Sequence, residues 1–327
     1  MTVYRKLILA ALVLTFFVVP LGAYVRLSNA GLGCPDWPGC YGQITPHHAA
    51  DAIDAALKAN PDGVVSHAKA WKEMVHRYFA GTLGLLILMI FIVAWRQRKQ
   101  IQGGLGLPLA LLAVIVFQAL LGMWTVTKLL KPLVVSAHLL GGMTTLALLV
   151  LLWRRENVRL QQAYYAPATH LRSAALLGLG LVILQIVLGG WVSANYAALA
   201  CTDFPTCQSA WIPPMDFEHA YTLHRNLGET ASGELLSLSA LTAIHWTHRL
   251  MALIVSLYLV WLATRLFKIS GYAGIATMLL GALGLQVLLG ISNVVFSLPL
   301  PVAVAHNAGA ALLLAGMVML NFRVRRN

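Results

Sequence analysis

Four histidines stand at matching places in a duplicated chain. MVHR (74–77) answers to WTHR (246–249) and VSAH (135–138) answers to VAVAH (302–306), which pairs His76 with His248 and His138 with His306. Each lies toward one end of a long apolar run. Ionisable side chains in such runs are costly and mark function, and a neutral imidazole directed into a helix bundle is a common axial ligand for haem iron. Two histidines per repeat therefore predict one bis-histidine haem site in each half. The competing expectation for any one of them is a hydrogen bond to a neighbouring helix; four at repeated positions and one depth speak against it. Copper also accepts imidazole, but the chain has no Met-rich or His-Cys cluster.

The two copies differ beside these histidines. Glu73 precedes His76 by three residues, on the same helical face, whereas His245 stands before His248. An acid next to one site and not the other predicts a division of labour between the halves. The alternative is a solvated residue near a helix start, favoured by the dipole. Arg77 and Arg249 directly follow two of the histidines, and Arg225 lies in a later loop. Haem propionates need cations, and arginine binds carboxylates bidentately; an ordinary interfacial arginine is the other expectation.

The elements that carry these residues are membrane spans. Of 327 residues 59% are hydrophobic and 10% charged, with mean hydropathy +0.76, outside the range of soluble domains. Apolar runs long enough to cross a bilayer fall near 7–25, 73–95, 106–127, 133–153, 172–194, 244–266, 272–293 and 299–322. The fold class expected is an all-α integral membrane protein of eight transmembrane helices. The first run is long for a secretory signal and lacks a small-residue cleavage site, so it reads as a retained anchor. The net charge of +12 does not point to nucleic acid, because the basic residues sit at helix ends and in short loops. With eight spans, Arg5, Lys6, Arg96, Arg98, Lys99, Arg154, Arg155, Arg159, Arg172, Arg265, Lys268, Arg323, Arg325 and Arg326 share one side. By the positive-inside rule that side, with both termini, is the cytoplasm. The loops at about 26–71 and 195–243 then lie outside.

LGAYVRLSNAGLGCPDWPGC (21–40) aligns with LGGWVSANYAALACTDFPTC (188–207), and Gln118 with LLG (120–122) answers to Gln286 with LLG (288–290). A Q-x-x-L-G echo recurs at 118–122, 185–189 and 286–290. The chain is a tandem duplication of a four-helix unit. Four spans are an even number, so the two bundles should relate by a pseudo-two-fold axis along the membrane normal. The boundaries expected are 1–153, a cytoplasmic linker 154–171, and 172–327.

All four cysteines fall in the two outer loops, as CPDWPGC (34–40) and CTDFPTC (201–207). An oxidising compartment and turn-forming Asp and Pro between each pair favour one disulfide within each loop, Cys34–Cys40 and Cys201–Cys207. Structural zinc pairs usually space their cysteines by two to four residues, which weighs against zinc. A redox-active dithiol stays open, more for the first pair, where Gly31, Gly33 and Gly39 free the loop.

The stretch YVRLSNAGLGCPDWPGCYGQ (24–43), the E-x-x-H-R of Glu73 to Arg77 and the repeated histidines resemble haem A synthase, the membrane enzyme that makes the haem of cytochrome c oxidase. The resemblance covers nearly the whole chain, and HAYTLHRNLGE (219–229) is like the proteobacterial members. It implies that the C8 methyl of haem O is oxidised to a formyl group by successive hydroxylations, with oxygen from water and electrons leaving through the protein. It further implies that His248 and His306 hold a haem b cofactor in the C-terminal half, that His76 and His138 ligate the substrate haem O in the N-terminal half, that Glu73 is catalytic, and that the cysteine pairs are disulfides. Haem O synthase and an electron acceptor are the implied partners in the inner membrane, with room for a homo-oligomer. From another class, a diheme b-type electron carrier would normally place haems on opposite membrane sides, and here all four histidines share one. A transporter built on a parallel repeat is weaker, since paired Gly/Pro breaks at the midplane are missing.

Overall fold

The computed structural model describes residues 2–61, 63–101, 103–157 and 168–325. Arg159, Arg326 and most of the 154–171 linker lie outside the described residues. Among those described, eight helices are long and apolar enough to cross a membrane. They are α1 (Val3–Leu27), α3 (His67–Arg96), α4 (Gly106–Thr127), α5 (Pro132–Glu156), α6 (Arg172–Ala194), α8 (Leu238–Phe267), α9 (Ala273–Val295) and α10 (Leu300–Val324). Two short helices, α2 (Ala50–Ala59) and α7 (Phe217–Ala220), belong to the two long loops. Large apolar side chains such as Phe17, Leu85, Phe117 and Leu288 face outward along the spans, from 51% to 66% exposed. In water that surface would be unstable; in hydrocarbon it is solvated, and the chain is a multi-pass membrane protein.

Helices α3 and α8 begin at 67 and 238, earlier than the apolar runs at 73 and 244 predict. The reason is capping. The Ser66 hydroxyl accepts from the Lys69 N–H and the Ser237 hydroxyl from the Ala240 N–H, satisfying donors that a helix start leaves open. Each helix therefore extends through polar residues that hydropathy assigns to a loop. Glu73 and His245 are consequently inside regular helix, past its first turn.

The duplication is written into the backbone. Positive φ at Asn29, Tyr41, Leu129 and Leu130 is matched at Tyr196, Gln208, Ser297 and Leu298, and both Trp37–Pro38 and Phe204–Pro205 are cis. Within the halves α1 packs on α3 and α4 on α5, as α6 packs on α8 and α9 on α10. Between them α1 meets α10, α6 meets α5, and α5 meets α10. One apolar core spans this seam, joining Met143, Leu146 and Val150 of α5 to Val182, Leu259, Leu314 and Met317 of the second half. Of the histidine-bearing helices, α5 and α10 are thus held by both repeats, whereas α3 packs on α1 and α4 and α8 on α6 and α9 of their own half.

Candidate functional site

Each of the four histidines rests on a glycine of the membrane span that precedes its own: α1 for α3, α4 for α5, α6 for α8 and α9 for α10. A Cβ at Gly22 would stand 3.0 Å from Cε1 of His76, and one at Gly189 3.0 Å from Cε1 of His248. The distances are 3.3 Å for Gly122 against His138 and 3.2 Å for Gly290 against His306. Any larger residue would push the imidazole away. His76 and His138 lie close enough to interact electrostatically, as do His248 and His306. The sequence-predicted pairs are therefore brought together half by half.

Their donor atoms fit metal ligation. Nδ1 of His76, His138 and His306 is buried without a hydrogen-bond partner, and leaving such a group unsatisfied costs roughly 1–3 kcal/mol. Among the described residues no group of three or more His, Cys, Asp or Glu side chains gathers around a point. Two imidazoles and no carboxylate or thiolate suit haem iron, whose remaining ligands come from its own macrocycle; a structural zinc would need about four protein ligands.

A cysteine loop packs against the helix that carries the first histidine of each pair. Sγ atoms are 2.06 Å apart for Cys34–Cys40 and 1.94 Å for Cys201–Cys207, both disulfide-bonded, which leaves no thiolate for zinc. The Asp36 carboxylate accepts from the N–H groups of Tyr41 and Gly42 at 2.6 and 2.7 Å. Asp203 does the same for Gln208 and Ser209, at 2.7 and 2.9 Å. The Thr206 hydroxyl is the largest cause that holds the Asp203 carboxyl down at about 2; desolvation comes next and opposes it, and the backbone donors of Ser209 and Gln208 add to the lowering.

Arg77 and Arg249 fasten the loops to α3 and α8. Nη1 of Arg77 donates to the carbonyls of Asp36 at 2.8 Å, Pro38 at 3.3 Å and Gly39. Arg249 donates to Asp203 and Thr206, both at 2.9 Å, and to Cys201 at 3.0 Å. Arg225, 4% exposed, donates to Asn195 Oδ1 and to the carbonyls of Thr222 and Glu229 at 3.2 Å. All three guanidiniums are occupied by protein.

Glu73 is 4% exposed, so the solvated helix-start expectation is overturned. Its Oε2 accepts from the Cys34 N–H at 2.9 Å and its Oε1 from Arg77 Nη2 at 2.5 Å. One carboxylate thus joins α3, its own arginine and the first disulfide. In the second repeat Nε2 of His245 accepts from Arg249 Nε at 3.2 Å; the scaffold is repeated, and the charge is not.

Arg26 was not anticipated. Only 9% exposed at the end of α1, it donates from Nη2 to the carbonyls of Ser193 and Ala194, each at 3.1 Å, and covers the Tyr196 ring at 3.8 Å. Its Nε and Nη1 are buried with no partner. The signal was present in the aligned loops, where an arginine in one copy faces a serine in the other.

Fold and site together define a helical membrane protein with a repeated sequence, eight spans among the described residues, a half-buried histidine pair in each repeat, and a disulfide-closed loop fastened to the helix that carries the first histidine of each pair. The chain belongs to the COX15-CtaA family, described as cytochrome oxidase assembly protein, whose model matches residues 5–318. It is 44% identical over 311 residues to a protein named heme A synthase from Shewanella oneidensis, covering 95% of this chain and 93% of that one. Proteins of the same name from Allorhizobium ampelinum (28% over 318 residues, 91% and 84% covered) and Shouchella clausii (30% over 236 residues, 69% and 70% covered) are also similar.

Proposed function

We propose that this protein is a haem A synthase, an oxidoreductase that converts the C8 methyl of haem O to a formyl group. The observation that carries the reading is the asymmetry of two otherwise equivalent sites: a buried carboxylate stands beside His76 where a histidine stands beside His248. The names of the relatives support it. Two successive hydroxylations with water take the methyl to a geminal diol, which loses water to give the aldehyde; overall one methyl and one water yield one formyl, four electrons and four protons.

His76 and His138 ligate the iron of the substrate and fix its depth in the N-terminal bundle. Glu73, oriented by Arg77 and Cys34, faces positive charge that develops at the methyl carbon as electrons leave, and takes a proton from the attacking water. His248 and His306 hold haem b, which supplies one-electron transfer toward an acceptor. Arg26, with donors to spare between the bundles, meets a propionate, while Arg77, Arg225 and Arg249 would have to release loop carbonyls to do so. This reading places both termini in the cytoplasm of a bacterial inner membrane, the two bundles 1–153 and 172–327 about a pseudo-two-fold axis, and the sites near the outer face, with haem O delivered by its synthase.

Chemical extraction of the haems from protein purified alongside a source of haem O tests the proposal. Haem b together with haem O or haem A is expected, and His306→Ala should lose the haem b. Haem b alone, equally in both sites, would instead identify a diheme electron carrier.

A further inference from the structure

The Q-x-x-L-G echo has a structural meaning. Each glycine that supports a histidine has a partner four residues earlier on the same face of its helix: Gln118 for Gly122, Gln185 for Gly189, Gln286 for Gly290, and Val18 for Gly22. Three of the four are carboxamides, and each touches the histidine its glycine supports. Gln118 Nε2 donates to the His138 carbonyl at 2.7 Å. Gln185 Nε2 lies 3.1 Å from His248 Nδ1 and 3.2 Å from the His248 carbonyl. Gln286 Nε2 lies 3.4 Å from His306 Nε2. All three carboxamide oxygens are buried with no partner.

A histidine that ligates metal through one ring nitrogen carries a proton on the other, and that N–H needs an acceptor, which fixes the ring and raises its basicity. A half-turn of the carboxamide of Gln185 or Gln286 sets its unpartnered oxygen, in place of Nε2, against the ring nitrogen of His248 or His306 that it already approaches. Val18 offers His76 no polar atom at all, whereas Gln185 and Gln286 each reach a ring nitrogen and Gln118 reaches the backbone carbonyl of His138.

We infer that Gln185 and Gln286 are positioning residues that lock both ligands of the cofactor site. Gln118 holds His138 only through its backbone carbonyl, and Val18 leaves His76 the ligand that releases the substrate haem. The inference rests on the haem-ligand reading above. It gives a physical reason why one of two like sites retains its haem and the other turns it over: losing such an outer partner typically costs 10–100-fold in affinity.

The experiment uses the full chain, purified with its haem. Gln185→Leu and Gln286→Leu, made separately so that a folding failure in one leaves the other, should each raise the haem b midpoint potential by roughly a tenfold change in the ferric-to-ferrous affinity ratio, about 59 mV for one electron. Each should also speed haem b loss to apomyoglobin. Gln286→Glu, which keeps an acceptor, should stay at or below the wild-type potential. Val18→Gln should increase severalfold the haem O plus haem A that co-purifies, with haem b content and potential unchanged; Val18→Leu should not. Wild-type potentials in both leucine variants, or equal retention in Val18→Gln and Val18→Leu, would overturn the assignment. Wild-type protein free of haem, or haem b unaffected in His306→Ala, would instead defeat the ligand reading beneath it.

Discussion

Arg26 donates from Nη2 to the carbonyl of Ser193, the residue that fills its own place in the second repeat, 167 positions on. Tyr196 and Asn29, another pair 167 apart, are joined by a hydrogen bond of 3.1 Å. Residues related by a rotation can meet each other only beside its axis, so the proposed pseudo-two-fold passes between the ends of α1 and α6. Any ligand reaching the unpartnered Nε and Nη1 of Arg26 therefore sits at the seam between the two sites.

If that ligand is a propionate, Arg26→Ala removes a charge-assisted contact worth about 1.5–3 kcal/mol, or roughly tenfold or more in affinity. Titration of haem O into detergent-solubilised protein is the measurement. The variant should bind haem O at least tenfold more weakly and keep its haem b. The dimethyl ester of haem O, which has no carboxylates, should bind both proteins alike. Equal affinity of the variant for free haem O would remove Arg26 from the site.

Glu73→Gln keeps an acceptor for the Cys34 N–H and gives up the charge that faces Arg77. Removing a preorganised charge costs on the order of 100-fold or more in rate, so the variant should bind haem O and retain haem b yet accumulate little haem A. The haem O to haem A ratio in membranes decides it. A wild-type ratio would reduce Glu73 to a tether for the first disulfide loop, and loss of all haem would make it part of the fold.

Spans, duplication and histidine pairing were legible because each repeats or runs long. Hydropathy averages over about 20 residues, and His76 and His248 are marked twice. Helix starts were misplaced for the complementary reason: Ser66 and Ser237 act through single hydrogen bonds that an average cannot register. The roles of Arg77 and Arg249 were hidden because their partners are backbone carbonyls, which every sequence possesses. Arg26 and the glutamines were visible as letters, but their meaning lies in which donors and acceptors are left over, and that is settled only when the helices are packed.

The second loop should have its own acid limit. Thr206 and the N–H groups of Ser209 and Gln208 bond the ionised Asp203 and hold it at about 2, below its ordinary value near 3.8. A depressed acid stabilises the folded loop fully above the unfolded value and loses that contribution as pH falls from about 4 through about 2. Pepsin, active across this window, should spare the 201–211 segment at pH 4 and cut it near pH 2, and Asp203→Asn should abolish the difference. Cleavage independent of pH in the wild type would show that the disulfide alone maintains the loop.

The arginine clamps offer the sharpest comparison between the halves, because their geometry is repeated while their surroundings are not. Arg77 and Arg249 each reach three loop carbonyls from one planar fork, which lysine, with a single ammonium, does not reproduce. Arg77→Lys and Arg249→Lys should loosen their own loops to a similar degree, seen as faster amide exchange at 34–43 or 201–210. The consequences diverge through the neighbouring residue. Arg77→Lys frees the carboxylate of Glu73 from its bond at 2.5 Å, so haem A formation should fall at least tenfold while haem b in the other half is unchanged. Arg249→Lys disturbs His245, which carries no formal negative charge, so the same loosening should leave the chemistry of a substrate already bound nearly intact and show instead as weaker retention of haem b. Measuring single-turnover conversion and haem b content in both variants separates the two effects. Equal losses of conversion would mean that the clamps act through the fold as a whole, and that the acid beside His76 is not what distinguishes the halves.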